Sequence, residues 1–281
     1  MMAQLIDRKQ LKQQMKDLLR SAQVGARGMT LLYLALVCAL NLTDSLTGLV
    51  NDGLPAMFVS ILTSLLGMVL SAGFVLYCMA VRRGERAEYL TLFDGFSFVG
   101  RIILLNIVEY LFIFLWSLLF VIPGIIAAYR YRFALYDLYE NPGIGVMEAL
   151  EMSKQQTLGY KGQLFLLDLS YTGWYLLASL PALIQVGYIY AAVFQDPGYF
   201  LADPTRVYAL SLPLPLPVQV LLGCLWPLAV ALFYLPVYQC TELGYFDIAK
   251  HTSGVSLSGA GGPDQPDDGG WGGVLGPSLR P

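Results

Sequence analysis

The stretch FIFLWSLLFVIPGIIAAYRYRF, residues 112–133, decides the architecture. An apolar run reaches Ile122, breaks at Pro123-Gly124, and resumes as an apolar run carrying Arg130 and Arg132. Proline lacks an amide donor and its ring clashes with the preceding turn, so this dipeptide kinks a helix or ends it. The stretch alone leaves two readings: a bend in one long helix, or the outer turn of a helical hairpin whose returning arm covers about residues 125–140.

The composition around it argues for a membrane protein. Of 281 residues, 56% are hydrophobic and 13% charged, against about 25% charged in soluble domains. Several apolar runs reach the roughly 20 residues needed to cross a hydrocarbon core. They are continuous rather than alternating, which favours helices over a β-barrel. The expected fold is therefore all-α: a polytopic helical membrane protein with about six transmembrane helices and an N-terminal amphipathic helix.

Residues 1–27 read as that cytoplasmic amphipathic helix. Leu11, Met15, Leu18, Leu19 and Ala22 fall on one face, Asp7 and Gln10 suggest a cap, and Arg8, Lys9, Lys12, Lys16 and Arg20 cover much of the rest. Such a helix lies on an anionic membrane surface, or serves as a basic flank that marks one side. Nothing at the N-terminus resembles a cleavable signal. The membrane domain covers 28–250, with spans at about 28–49, 56–81, 102–122, 125–140, 163–190 and 218–240. Small residues Ser60, Ser64, Gly67, Ser71 and Gly73 mark a close-packing face of the second. Residues 144–158 form a further amphipathic helix, and 251–281 are expected to be a disordered tail.

The doubtful span is decided by the basic residues, which concentrate on cytoplasmic loops. If 125–140 crosses, fourteen of the seventeen Lys and Arg lie on the side of the N-terminus. Arg206 alone then lies opposite, and Arg130 and Arg132 lie in the membrane. If it does not cross, Lys154, Lys161 and the tail change sides. The count favours six spans, with both termini cytoplasmic and Pro123-Gly124 as a hairpin turn.

That arrangement brings Glu109, Arg132 and Asp168 to similar depth on consecutive helices, with Arg130 or Asp137 attached. Ionisable groups in a membrane cost about 3 kcal/mol or more each and mark function by default. The cluster reads as a polar cavity for an ion, proton or anionic headgroup, or as a neutralised network that fixes helix register. No P-loop, HExxH, GxSxG or acidic metal motif appears. Cys38, Cys78, Cys224 and Cys240 form no CxxC and read as packing residues, and His251 is the only histidine. No catalytic residue, metal or cofactor site is expected.

At WSLLFVIPGIIAAYRYRFALYDLYENP, EALEMSK and LFLLDLSYTGWYLL the chain resembles a family of bacterial integral membrane proteins, domain of unknown function family 975. The matching features are the phenylalanine-rich LFDGFSFVGR at 92–101, Pro123-Gly124, and Asn141-Pro142 followed by Ala149-Leu150-Glu151-Met152-Ser153. Asp168, Leu169, Ser170, Gly173 and Trp174 supply a D-L-S-x-x-G-W stretch. The resemblance extends over about 5–250, more loosely at Pro236-Val237-Tyr238 and Gly244-Tyr245-Phe246-Asp247. In helix layout there is a weaker similarity to the membrane domain attached to some glycerophosphodiesterases, without their catalytic part. The resemblance implies a multi-pass protein of the bacterial plasma membrane with no established activity. The expectation is a non-enzymatic scaffold or accessory factor that contacts membrane lipids and membrane or cytoplasmic proteins, not nucleic acid. The alternative is a small transporter or channel using the charged cluster, and a lipid-active enzyme is a third, weaker reading.

Overall fold

The computed structural model describes residues 5–21, 25–50, 53–85, 87–198 and 213–254. The expected tail, apart from its first residues, lies outside them. Every regular element among the described residues is helical. In chain order these are α1 (Arg8–Ser21), α2 (Ala26–Val50), α3 (Leu54–Arg82), a 3-10 helix (Tyr89–Phe98), α4 (Val99–Leu119) and α5 (Val121–Tyr131). There follow α6 (Ala134–Glu140), α7 (Val146–Gln156), α8 (Lys161–Leu169), α9 (Thr172–Ala178), α10 (Leu180–Gln195) and α11 (Leu216–Ser253).

Among the described residues four segments are long and apolar enough to cross a membrane: Ala26–Gly48, Leu54–Arg82, Tyr89–Leu119 and Leu221–Ser253. The pair α9 and α10 qualifies jointly as a fifth, bent by 63° at Ser179. The fourth expected span is not one helix. α5 has 11 residues and rises about 16 Å at 1.5 Å per residue, short of the roughly 30 Å of hydrocarbon. It stops at a turn over Arg132-Phe133, and α6 starts afresh. The fifth expected span is likewise cut into α8, α9 and α10.

The hairpin turn also sits elsewhere than expected. α4 ends at Leu119, and Phe120 alone is extended (φ −163°, ψ 156°) before α5 begins. Pro123-Gly124 lies inside the first turn of α5, where a missing amide costs nothing because those amides have no intrahelical acceptor. Gly124 is there for contact rather than turning. A Cβ on it would stand 2.1 Å from Ser117 Oγ of α4, so only glycine lets the two arms close.

The tightest packing gathers at the end of the bundle that holds α1. Leu11, Met15, Tyr77, Phe133, Tyr245 and Phe246 are fully buried there, and Phe246 meets Phe133 and Tyr136 edge-on at centroid distances of 5.5 and 5.3 Å. Asp7 caps α1 through Oδ1, which accepts from the Lys9 amide at 2.9 Å and the Gln10 amide at 3.4 Å. The apolar face of α1 is not free to enter lipid, because Leu11 and Met15 are spent on α3 and α11. Away from this end the helices carry exposed Phe58, Ile107, Tyr110, Phe114, Leu118 and Phe233, an apolar surface compatible with a lipid environment.

α11 reaches well past the expected end at 240. Cys240, Thr241, Glu242, Leu243, Tyr245, Phe246 and Ala249 are all buried, so this half of the helix is enclosed on every side. It ends at Gly254, whose φ of 64° is the left-handed cap that favours glycine.

Two backbone contacts fix the phenylalanine-rich segment. A Cβ on Gly73 would fall 1.8 Å from the Leu92 carbonyl oxygen, and one on Gly95 would fall 2.7 Å from that of Val69. The 3-10 helix therefore lies backbone to backbone along α3.

Candidate functional site

The site forms where α5, α8 and α11 meet. The break after Tyr131 frees backbone groups and turns Arg132 inward. Ser153 of α7 repairs the break: its Oγ accepts from the Phe133 amide at 3.0 Å and donates to the Arg130 carbonyl at 2.9 Å. Thr157 Oγ1 donates to the same carbonyl at 3.2 Å.

Held this way, Arg132 binds two carboxylates. Nη1 and Nη2 donate to Asp168 Oδ2 and Oδ1 at 2.8 and 3.2 Å, a bidentate pair. Nε donates to Glu242 Oε1 at 2.7 Å. Nη2 also reaches Tyr238 Oη, which itself donates to Asp168 Oδ1 at 2.8 Å. Tyr129 donates to Asp168 Oδ2 at 2.7 Å and lays its ring 5.4 Å from the guanidinium carbon. Each oxygen of Asp168 thus takes two donors, and every nitrogen of Arg132 has an acceptor.

The five residues expected to cluster divide three ways. Arg132 and Asp168 are together. Glu109 is close enough to Arg132 to feel its charge, but among the described residues it shares no hydrogen bond with the network. Arg130 turns away, with its guanidinium carbon 5.7 Å from the centre of the Trp116 ring. Asp137 lies elsewhere, accepting from Gln156 Nε2 at 2.8 Å between α6 and α7. Pro123 and Gly124 sit at the start of α5, far along the helix from Arg132.

The missed member is Glu242. It stands beyond the expected end of the last span, so a reading that stops at residue 240 excludes it. Its signal was the spacing Tyr238…Glu242, i and i+4 on one face of a continuing helix.

A second charged group closes the same end of the bundle. Arg82, at the end of α3, has a side chain only 3% exposed. It donates to the Cys240 carbonyl at 2.8 Å, pairs with Asp247, and lies 3.7 Å from Met15 Sδ. Arg83 and Lys250 both bind Glu140, at 2.9 and 2.5 Å. Asp137, three residues before Glu140 on α6, lies close to this rim and feels the charges of Glu140 and Lys250.

Toward the start of α11 a cavity of about 760 Å³ opens beside the α9–α10 bend, and the ring of its lining residue Tyr175 lies 6.4 Å from that of Tyr238. Its walls are mainly apolar, among them Tyr175, Leu180, Ile184, Leu222 and Trp226. Among the described residues no group of three His, Cys, Asp or Glu could hold a metal ion.

The fold and site define an all-helical protein with several helices able to cross a membrane, clasped near one end by part-buried ion pairs. Over residues 118–248 the chain matches the family described as "Protein of unknown function (DUF975)". That stretch contains α5 to α11 apart from the last turn of α11, and every residue of the Arg132 network; the phenylalanine-rich segment lies outside it. No curated protein and no solved structure matches the chain.

Proposed function

We propose that this protein is a non-enzymatic multi-pass membrane scaffold or accessory factor, with α5–α6 and the broken α8–α10 completing six passes and both termini on the basic, cytoplasmic side of a bacterial plasma membrane. One observation carries the reading: the charged network is closed on itself. Arg132 spends its donors on Asp168, Glu242 and Tyr238, and Asp168 is saturated by Arg132, Tyr129 and Tyr238. A transport site needs a group free to exchange partners with its cargo and a polar route beyond it. Here the walls of the cavity toward the start of α11 are mainly apolar.

The reading is tested by flux through proteoliposomes containing the purified chain. No saturable flux of protons, sodium or potassium is expected above empty vesicles. Flux that Arg132→Gln abolishes would overturn the scaffold reading in favour of a channel or transporter.

A further inference from the structure

A groove of about 620 Å³ lies between α1 and α8 at the packed end of the bundle. Its polar wall holds Arg8, Lys9 and Lys12 of α1 and Ser170 after α8. Arg8 donates to the Leu166 carbonyl at 2.8 Å, and Lys12 donates to Ser170 Oγ at 2.7 Å with its ammonium 3.9 Å from the Tyr171 ring centre. Among the described residues neither cation meets a carboxylate. Asp7 is the one acid in the groove, and it is engaged by the Lys9 and Gln10 amides. Burial, with Arg8 and Lys16 nearby, lowers the Lys12 ammonium below its ordinary value.

A second feature points to a ligand. Tyr245 of α11 is completely buried and lines the groove, and its phenol oxygen has no hydrogen-bond partner among the described residues. Leu5 and Leu166, 89% and 42% exposed, form an apolar rim beside the cations. Three crowded cations and an idle phenol suit a phosphodiester, whose unesterified oxygens accept from several donors at once; the Ser170 hydroxyl is spent on the Leu167 carbonyl. The apolar rim suits the chains attached to it.

We propose that this groove binds the headgroup of an anionic phospholipid, with its acyl chains leaving past Leu5 and Leu166. Basic pockets at the cytoplasmic end of membrane helices take such headgroups. The site rests on the reading above only in placing this end of the bundle at a membrane surface. Bound there, the lipid would fasten α1 to α8 and so join the N-terminal helix to the arm that carries Asp168.

Native mass spectrometry of the full purified chain in mild detergent tests this with phosphatidylglycerol and phosphatidylcholine at equal concentration. Phosphatidylglycerol is expected to be retained at least tenfold more. Arg8→Gln with Lys12→Gln removes that preference. Tyr245→Phe and Lys9→Gln, which leave the packing of α1 in place, weaken it severalfold. Lys154→Gln, a cation outside the groove, leaves it unchanged. Equal retention of the two lipids, or preference surviving both Tyr245→Phe and Lys9→Gln, overturns the site. Displacement of the lipid by millimolar inorganic phosphate also overturns it, by showing a pocket for free anions. Absence of lipid preference in a chain that shows no flux refutes the groove alone. Flux with the preference intact refutes the scaffold alone.

Discussion

Asp137 shows how much one enclosed carboxyl can carry. Its Oδ2 has no donor, and neither has Gln156 Oε1 beside it. A proton on the carboxyl turns one of these idle acceptors into a donor. Asp137→Asn keeps an acceptor for Gln156 Nε2 and puts an amide donor where Oδ2 stands, beside Gln156 Oε1. In detergent at pH 8 it should raise the melting temperature by about 3 °C, the shift that about 1 kcal/mol gives a chain of this size. A variant less stable than the parent would show that the carboxylate is the form the fold holds.

At the scale of elements, the breaks matter more than the helices. The turn between α5 and α6 is held by Ser153, which serves one freed amide and one freed carbonyl while completely buried. Ser153→Ala orphans the Phe133 amide and leaves the Arg130 carbonyl to Thr157 alone, a loss of about 1–3 kcal/mol by the usual cost of an unsatisfied buried group, measured by thermal or denaturant unfolding in detergent. Ser153→Thr, if accommodated, should recover part of it. The contact between α3 and the 3-10 helix is stricter. Gly73→Ala puts a carbon into the Leu92 carbonyl, and the backbone has no side chain to rotate away. This variant should be recovered from membranes in markedly lower yield, whereas Gly67→Ala on the same helix meets nothing and should behave as the parent. Small residues in the second span were legible as a packing face. Which of them touches a neighbour was not, because the partner is a 3-10 helix whose path no periodicity announces. Ser153 is the same case: its spacing after Ala149-Leu150 is plain in the sequence, but its task exists only once α5 breaks at Arg132.

Across the whole molecule, composition and apolar run length were enough for an all-helical chain with several helices able to cross a membrane. They were not enough for the interruptions at Arg132, Ser170 and Ser179, each of which is satisfied by a tertiary contact or a cap outside the apolar pattern. The pairing of Arg132 with Asp168 was legible from matching depth on successive helices. Glu242 and the burial of Arg82 were not, since both depend on α11 running on to Ser253. The passage of α5–α6 back to the basic side has its own test. A reporter fused after Gln155 should behave as cytoplasmic, like one at the N-terminus, and extracytoplasmic activity would contradict six passes. The central claim is that the Arg132 network is a clasp joining α5, α8 and α11. Fully buried pairs lose about 3–5 kcal/mol when one partner is removed; Arg132 and Asp168 are part-buried, so the loss here should be smaller, and partners in contact couple by about 0.5–3 kcal/mol. The most direct measurement is a double-mutant cycle in detergent on Arg132→Gln and Asp168→Asn. The account predicts that each single variant is destabilised and that the double variant recovers part of the loss. Strictly additive losses, or single variants as stable as the parent, would contradict it.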